Sequence, residues 1–146
     1  MKFIGLLLTL CALLLGPGRA AYADQDKPFA THHLVLQISD ADPVKQALIL
    51  SVSNSLLKDY GPDNIAIEVV AFGPGVHLLY ADNPNRVGVE SLIAQGVRFD
   101  VCMNTINTIV RETGHAPALD PHIFKVDYGV GQILKLVGEG YVLVRP

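Results

Sequence analysis

Val97-Arg98-Phe99-Asp100-Val101-Cys102-Met103-Asn104-Thr105 reads as a short strand running into the start of a helix, with a cysteine at the junction. Junctions of this kind are where α/β proteins place chemistry, because backbone N–H groups at a helix start favour negative charge. A thiolate at Cys102 would be stabilised there, and the thiolate is the reactive form of cysteine. A lone cysteine closing an apolar strand is equally a small buried hydrophobe. On the residues alone both readings stand.

Working outward, Val89, Leu92 and Ile93 mark a short helix that closes at Gly96, and Val97–Val101 is then the third strand. Asn104 or Thr105 caps the helix that follows, with Ile106, Ile109 and Val110 as its buried face and Gly114 near its end. Further upstream, Leu34–Ile38 is the first strand, an apolar run suited to a sheet covered on both faces. Asp42 before Pro43 starts a helix, with a capping carboxylate and proline at the first helical position. Val44, Leu48, Val52, Leu56 and Tyr60, broadened by Ala47, Ile49 and Leu57, predict its sheet-facing stripe, which Gly61 closes. Ile65–Phe72 is the second strand and runs directly into Gly73-Pro74-Gly75. Strand, helix, strand in this order implies a right-handed unit with parallel strands.

Val76–Tyr80 is short and apolar without a clear period, and Ala81–Arg86 is a loop by composition. After the His115–His122 loop, Phe124–Tyr128 is a fourth strand. Val130, Ile133, Leu134 and Val137 form the last helical stripe, and Tyr141–Val144 is the final strand. The predicted fold is a three-layer α/β domain over residues 34–146, a mostly parallel five-stranded sheet flanked by helices in a flavodoxin-like arrangement.

Sites in such sheets lie beyond the carboxyl ends of the strands, near the point where the strand order reverses. The Asp40/Asp42 loop, Gly73-Pro74-Gly75, and Cys102 with Asn104 and Thr105 all fall on that edge. Gly73, Pro74, Gly75, Asn104 and Thr105 are the candidates for holding an anion or ligand through backbone N–H groups. The glycines serve equally well as a tight turn. His77, His115, His122 and Arg111 are the side chains available to tune a thiolate. Gly129-Val130-Gly131 lacks the third glycine and downstream acid of a dinucleotide fingerprint, and no P-loop, nucleophile elbow or HExxH motif occurs. Cys102 and the histidines do not have zinc-site spacing, and His32-His33 has no partner cluster beside it, so neither metal nor cofactor is expected.

The amino terminus predicts export. Met1-Lys2 precedes the apolar run Phe3–Leu15, too short to span a bilayer; Gly16-Pro17-Gly18 breaks it, and Ala21-Tyr22-Ala23 has the small-x-small form of a cleavage site. Residues 1–23 are therefore a secretory signal, and 24–33 a polar, flexible tail. Loss of Lys2 and Arg19 moves the formal charge from −3 to −5, and a mildly acidic domain without a basic run does not suit nucleic acid or anionic membranes. Cys11 leaves with the signal, so Cys102 is the sole thiol of the mature chain and no internal disulfide is possible. No membrane span remains after cleavage, and the expected location is periplasmic or secreted.

Gly73-Pro74-Gly75 after strand two, Gln95-Gly96-Val97-Arg98-Phe99 leading to Cys102-Met103-Asn104-Thr105, Leu34–Asp40 and Gly140–Pro146 together resemble the DsrE/DsrF-like family. The resemblance covers nearly the whole mature domain. It implies a small, mostly parallel α/β fold, assembly as homotrimers, homohexamers or hetero-oligomers, and sulfur relay. Relay members carry sulfane sulfur as a persulfide on one cysteine after the third strand, and Cys102 matches that position. Those members are cytoplasmic, whereas this chain carries an export signal. The implied function is an exported, homo-oligomeric sulfur carrier whose partners are donor and acceptor thiol proteins or small persulfides. The alternative from the residues is a non-catalytic oligomeric binding or assembly module, with an inert Cys102 and a ligand pocket at the strand ends.

Overall fold

A computed structural model describes residues 27–146; the predicted signal at 1–23 and the start of the predicted tail lie outside them. The chain forms β1 (His32–Ile38), α1 (Pro43–Tyr60), β2 (Ile65–Ala71), a 3-10 helix (Gly73–Leu79), α2 (Arg86–Ala94), β3 (Arg98–Cys102), α3 (Met103–Thr113), β4 (Phe124–Val126), α4 (Gly129–Gly138) and β5 (Val142–Val144). All strand pairs are parallel, in the order β4-β3-β2-β1-β5. The three layers match the expectation. The order is this chain's own, since flavodoxin runs 2-1-3-4-5.

The order explains the layers. Connections from β1 through to β4 all step the same way along the sheet, so right-handed crossovers put their helices on one face; the step back from β4 to β5 puts α4 on the other. The main core accordingly joins Leu36, Val69, Phe99 and Val101 of the sheet to Ile49, Leu92 and Ile106 of the helices. Among the described residues, the apolar cluster on the opposite face sets Val35 and Val70 against Ile133 and Leu136 of α4, flanked by Phe72 and Tyr141. One face is thickly covered and the other thinly.

Local chemistry sets the α1 boundaries as the residues predict. The Asp42 carboxylate accepts the Val44 N–H at 2.8 Å, and Gly61 closes the helix by donating its N–H to Leu57 O. The buried face of α1 differs from the predicted stripe: it is Gln46, Ile49, Leu50, Ser53 and Leu57, while Val44 is 74% exposed. A row of fourth neighbours drifts by about 40° per step around a helix of 3.6 residues per turn, so five of them cannot share one face. Two polar residues also disguise the true face. Gln46 accepts from Asn83 Nδ2, and Ser53 donates to Ile49 O, so both are buried with partners.

The stripe predicted on α4 also divides. Ile133 is buried, with Leu136, but Val130, Leu134 and Val137 face outward, and Val142, Leu143 and Val144 of edge strand β5 are exposed too. The tail predicted over 24–33 is docked from Lys27 onward. Lys27 Nζ donates to Pro62 O (2.7 Å) and Ile65 O (3.1 Å), the Thr31 and His32 N–H groups donate to Asn64 O, and β1 begins at His32. His32 stacks on Tyr60 and His33 on Tyr141, so this pair is part of the packing. Val76–Tyr80 belongs mostly to the 3-10 helix, with Val76, Leu78 and Leu79 buried in the main core. No described helix is long and apolar enough to cross a membrane.

Candidate functional site at the end of the third strand

Strand alternation divides β3 between the two faces. Phe99 and Val101 enter the main core, so Arg98, Asp100 and Cys102 lie on the thinly covered face beneath α4, as do Glu68 and Val70 of β2 and Phe72 just after it. Cys102 is the free cysteine among the described residues and is 5% exposed. Its Sγ donates to Asp127 O at 3.9 Å, a long and weak contact. Gly129, the first residue of α4, lies directly above: a Cβ there would sit 3.3 Å from Cys102 Cβ and 3.0 Å from Phe72 Cβ. The absent side chain lets α4 close over the thiol.

Helix α3 begins two or three residues earlier than predicted. Its N-cap is Cys102 itself, without a side-chain capping bond, which leaves Asn104 and Thr105 inside the first turn. Both are committed there. The Asn104 N–H donates to Asp127 O at 3.0 Å, and Thr105 Oγ1 accepts the Gly73 N–H at 3.0 Å, which ties the end of β2 to α3. Gly75 N–H donates to Phe72 O, and Pro74 has no N–H to offer. Gly73-Pro74-Gly75 is therefore not the anion cradle expected of it, because its donors hold the strand-end turn together. What approaches closely there is the protein's own backbone: a Cβ on Gly75 would collide with the Ile38 carbonyl and lie 2.9 Å from Ser39 Cα.

The side chains predicted to tune the thiol have partners elsewhere. Exposed His77 packs on Tyr80, His115 Nδ1 contacts Thr113 O, Arg111 donates to Thr108 Oγ1, and His122 lies against Asp120. Two carboxyls missed by the sequence reading occupy the thin face instead. Asp100, two residues before Cys102, is fully buried, and its Oδ1 accepts from Arg98 Nε at 2.9 Å while Oδ2 has no hydrogen-bond partner. Glu68 on the neighbouring strand accepts from Gln132 Nε2 of α4 at 2.7 Å and lies 3.7 Å from Arg98 Nε. Burial, reinforced by the Glu68 carboxylate, pushes the Asp100 carboxyl up to about 8 against the opposing pull of Arg98. Asp100 is thus a neutral acid at pH 7, on the same strand and face as the cysteine. An acidic residue inside each of two otherwise apolar buried strands was the available signal.

The point where the strand order reverses lies between β1 and β5. A cavity of about 370 Å³ opens there, lined by Ile38, Ser39, Asp40, Lys45, Ile49 and Arg145 among others, with Lys45 paired to Asp40 at 2.8 Å. Of the features predicted to share the strand-end edge, only the Asp40 loop lines this cavity; Cys102 and Gly73-Pro74-Gly75 do not.

No family model and no curated protein matches the chain. Among solved structures, it is similar to the protein of unknown function MTH1491 from Methanobacterium thermoautotrophicum, at 33% identity and a TM-score of 0.70. The match covers 79% of this chain and 99% of MTH1491. The chain belongs to the MTH1491 family.

Proposed function

We propose that the protein is an exported, homo-oligomeric sulfur carrier of the DsrE type that holds sulfane sulfur on Cys102. The observation that carries this reading is the position of Cys102, which ends β3 and caps α3 on the carboxyl edge of a parallel sheet. The Cys102 thiolate attacks the outer sulfur of a donor persulfide; the donor S–S bond breaks, a Cys102 Sγ–S bond forms, and the donor leaves as a thiolate that takes up a proton. An acceptor thiolate then removes the outer sulfur and regenerates Cys102. Donor and acceptor are thiol proteins or small persulfides outside the cytoplasm, in the periplasm or beyond. Apolar Val130, Leu134 and Val137 beside the exposed strand β5 support assembly into a trimer or hexamer, since an outward apolar face of this kind marks an interaction surface.

Intact mass after exposure to polysulfide tests the carrier role. The wild type is expected to gain the mass of added sulfur and Cys102→Ser to gain none. Equal loading of both proteins, or none on the wild type, sinks it.

A second reading has its own observation. Cys102 is buried and its thiol donates to Asp127 O, as expected of an inert cysteine in a binding or assembly module whose ligand site is the cavity between β1 and β5. Slow alkylation of the folded protein, together with no sulfur uptake, favours that reading.

A further inference from the structure

A second cluster lies at the amino end of β4, the opposite end from the one beside Cys102. Glu90 of α2 and Asp120 and His122 of the preceding loop each offer a ligand atom, and these atoms all lie within 4.8 Å of one another. The loop is pinned where it contributes them. Ala81 N–H donates to Ala118 O at 2.9 Å, Asp120 N–H donates to Leu79 O at 3.0 Å, and Tyr80 bridges Leu119. The Asp120 side chain is only 2% exposed. Its Oδ1 accepts the His122 N–H at 2.9 Å, but its Oδ2 is buried without a hydrogen bond. Arg86 Nε stands 3.8 Å from that oxygen, beyond hydrogen-bond reach, because it is drawn to Glu90 Oε1 at 2.9 Å. A buried carboxylate oxygen in this condition is costly, and a cation placed against it removes the cost.

We propose that Glu90, Asp120 and His122 bind a divalent transition-metal cation of the zinc class. One imidazole nitrogen and two carboxylate oxygens suit a cation of borderline softness better than calcium or magnesium, which take oxygen ligands. Bonds of about 2.0–2.2 Å bring tetrahedral ligand atoms to roughly 3.4 Å from one another. Closing the present spread to that value requires Glu90 to turn from Arg86 toward Asp120. His122 Nδ1, already 3.3 Å from Asp120 Oδ1, needs little movement. Water completes the coordination. Arg86 is the competitor, since it supplies the positive charge that the metal would replace. The metal would clamp α2 to the loop that leads into β4. This site does not depend on the chemistry of Cys102.

The test is calorimetric titration of the full chain carrying Cys11→Ser with Zn2+, repeated with Cys102→Ser added so that no thiol can account for uptake, with Co2+ absorption reporting the ligand set. One equivalent is expected in both backgrounds, with a rise in thermal midpoint. His122→Gln and Asp120→Asn are expected to weaken binding by about tenfold or more. Asp120→Asn keeps an acceptor for the His122 N–H, and the exposed-side substitution Glu90→Gln provides a further variant that leaves the loop intact. Arg86→Gln is expected to bind more tightly than wild type, and that gain is expected to vanish when Asp120→Asn is added, which a nonspecific surface attraction would not require. Absence of uptake overturns the proposal. So does uptake that is lost in Cys102→Ser or indifferent to Asp120→Asn and His122→Gln.

Discussion

The carbonyl oxygen of Asp127 accepts both the Cys102 thiol, at 3.9 Å, and the Asn104 N–H, at 3.0 Å. One oxygen therefore occupies the thiol and also a donor in the first turn of α3 that would otherwise be free to face the sulfur. The thiol form makes this contact and a thiolate cannot, because it has no hydrogen to give. Ionisation of Cys102 thus gives up a contact with the connection between β4 and α4, and access to the thiol depends on Gly129 at the start of α4.

Gly129→Ala tests that dependence. The added Cβ meets Phe72 at 3.0 Å and Cys102 at 3.3 Å, so the start of α4 must move outward. We expect a loss of about 1–3 kcal/mol in urea unfolding, typical of overpacking, together with faster alkylation of Cys102 than in the wild type. Unchanged alkylation would show that the α4 start does not control access.

Asp100 gives the protein a pH signature. Its folded-state value near 8 lies above the ordinary 3.8, so between about pH 4 and 8 the folded state keeps a proton that the unfolded state has released. Its contribution to stability is then fully present below about pH 4 and is lost as pH rises through 8, with a slope of at most about 1.4 kcal/mol per pH unit. Asp100→Asn, which keeps an acceptor for Arg98 and does not titrate, is expected to flatten this dependence and to melt above the wild type at pH 9. Thermal midpoints from pH 5 to 9 provide the measurement, and parallel curves for the two proteins would refute the assignment.

Gly75→Ala is expected to be among the most damaging single changes. The new Cβ collides with the backbone of Ile38, the last residue of β1, and of Ser39 after it, which cannot yield as a flexible side chain would. A loss of about 3 kcal/mol or more is expected by denaturant titration. Gly138→Ala, where a Cβ meets nothing within 4 Å, serves as the control.

Leu134→Glu tests the proposed assembly. Leu134 is 69% exposed on the outer face of α4, so the substitution leaves the protomer's core intact. Sedimentation should show the wild type as an oligomer and the variant shifted toward monomer. A monomeric wild type would remove the assembly from the functional proposal.

The alternating runs and their breakers were enough to determine the class of fold. Apolar strands broken by Gly61, Gly73 and Gly96, an Asp42-Pro43 helix start, and a cysteine at a strand end are local signals, and local chemistry places them. Which way a helix faces was less legible. On α1 the buried positions include Gln46 and Ser53, whose partners come from Asn83 and from the helix's own backbone, so apolarity alone selected the wrong side.

The site depended on the tertiary structure because its parts meet only across elements. Thr105 uses up the N–H of Gly73, Gly129 closes over Cys102, and burial, reinforced by Glu68 on a neighbouring strand, raises Asp100. Glu90 comes together with Asp120 and His122 only once α2 and the loop before β4 pack side by side. The sequence determined where the thiol stands on the chain; which groups surround it was decided by the return of the chain from β4 to β5, which brings α4 across the thin face.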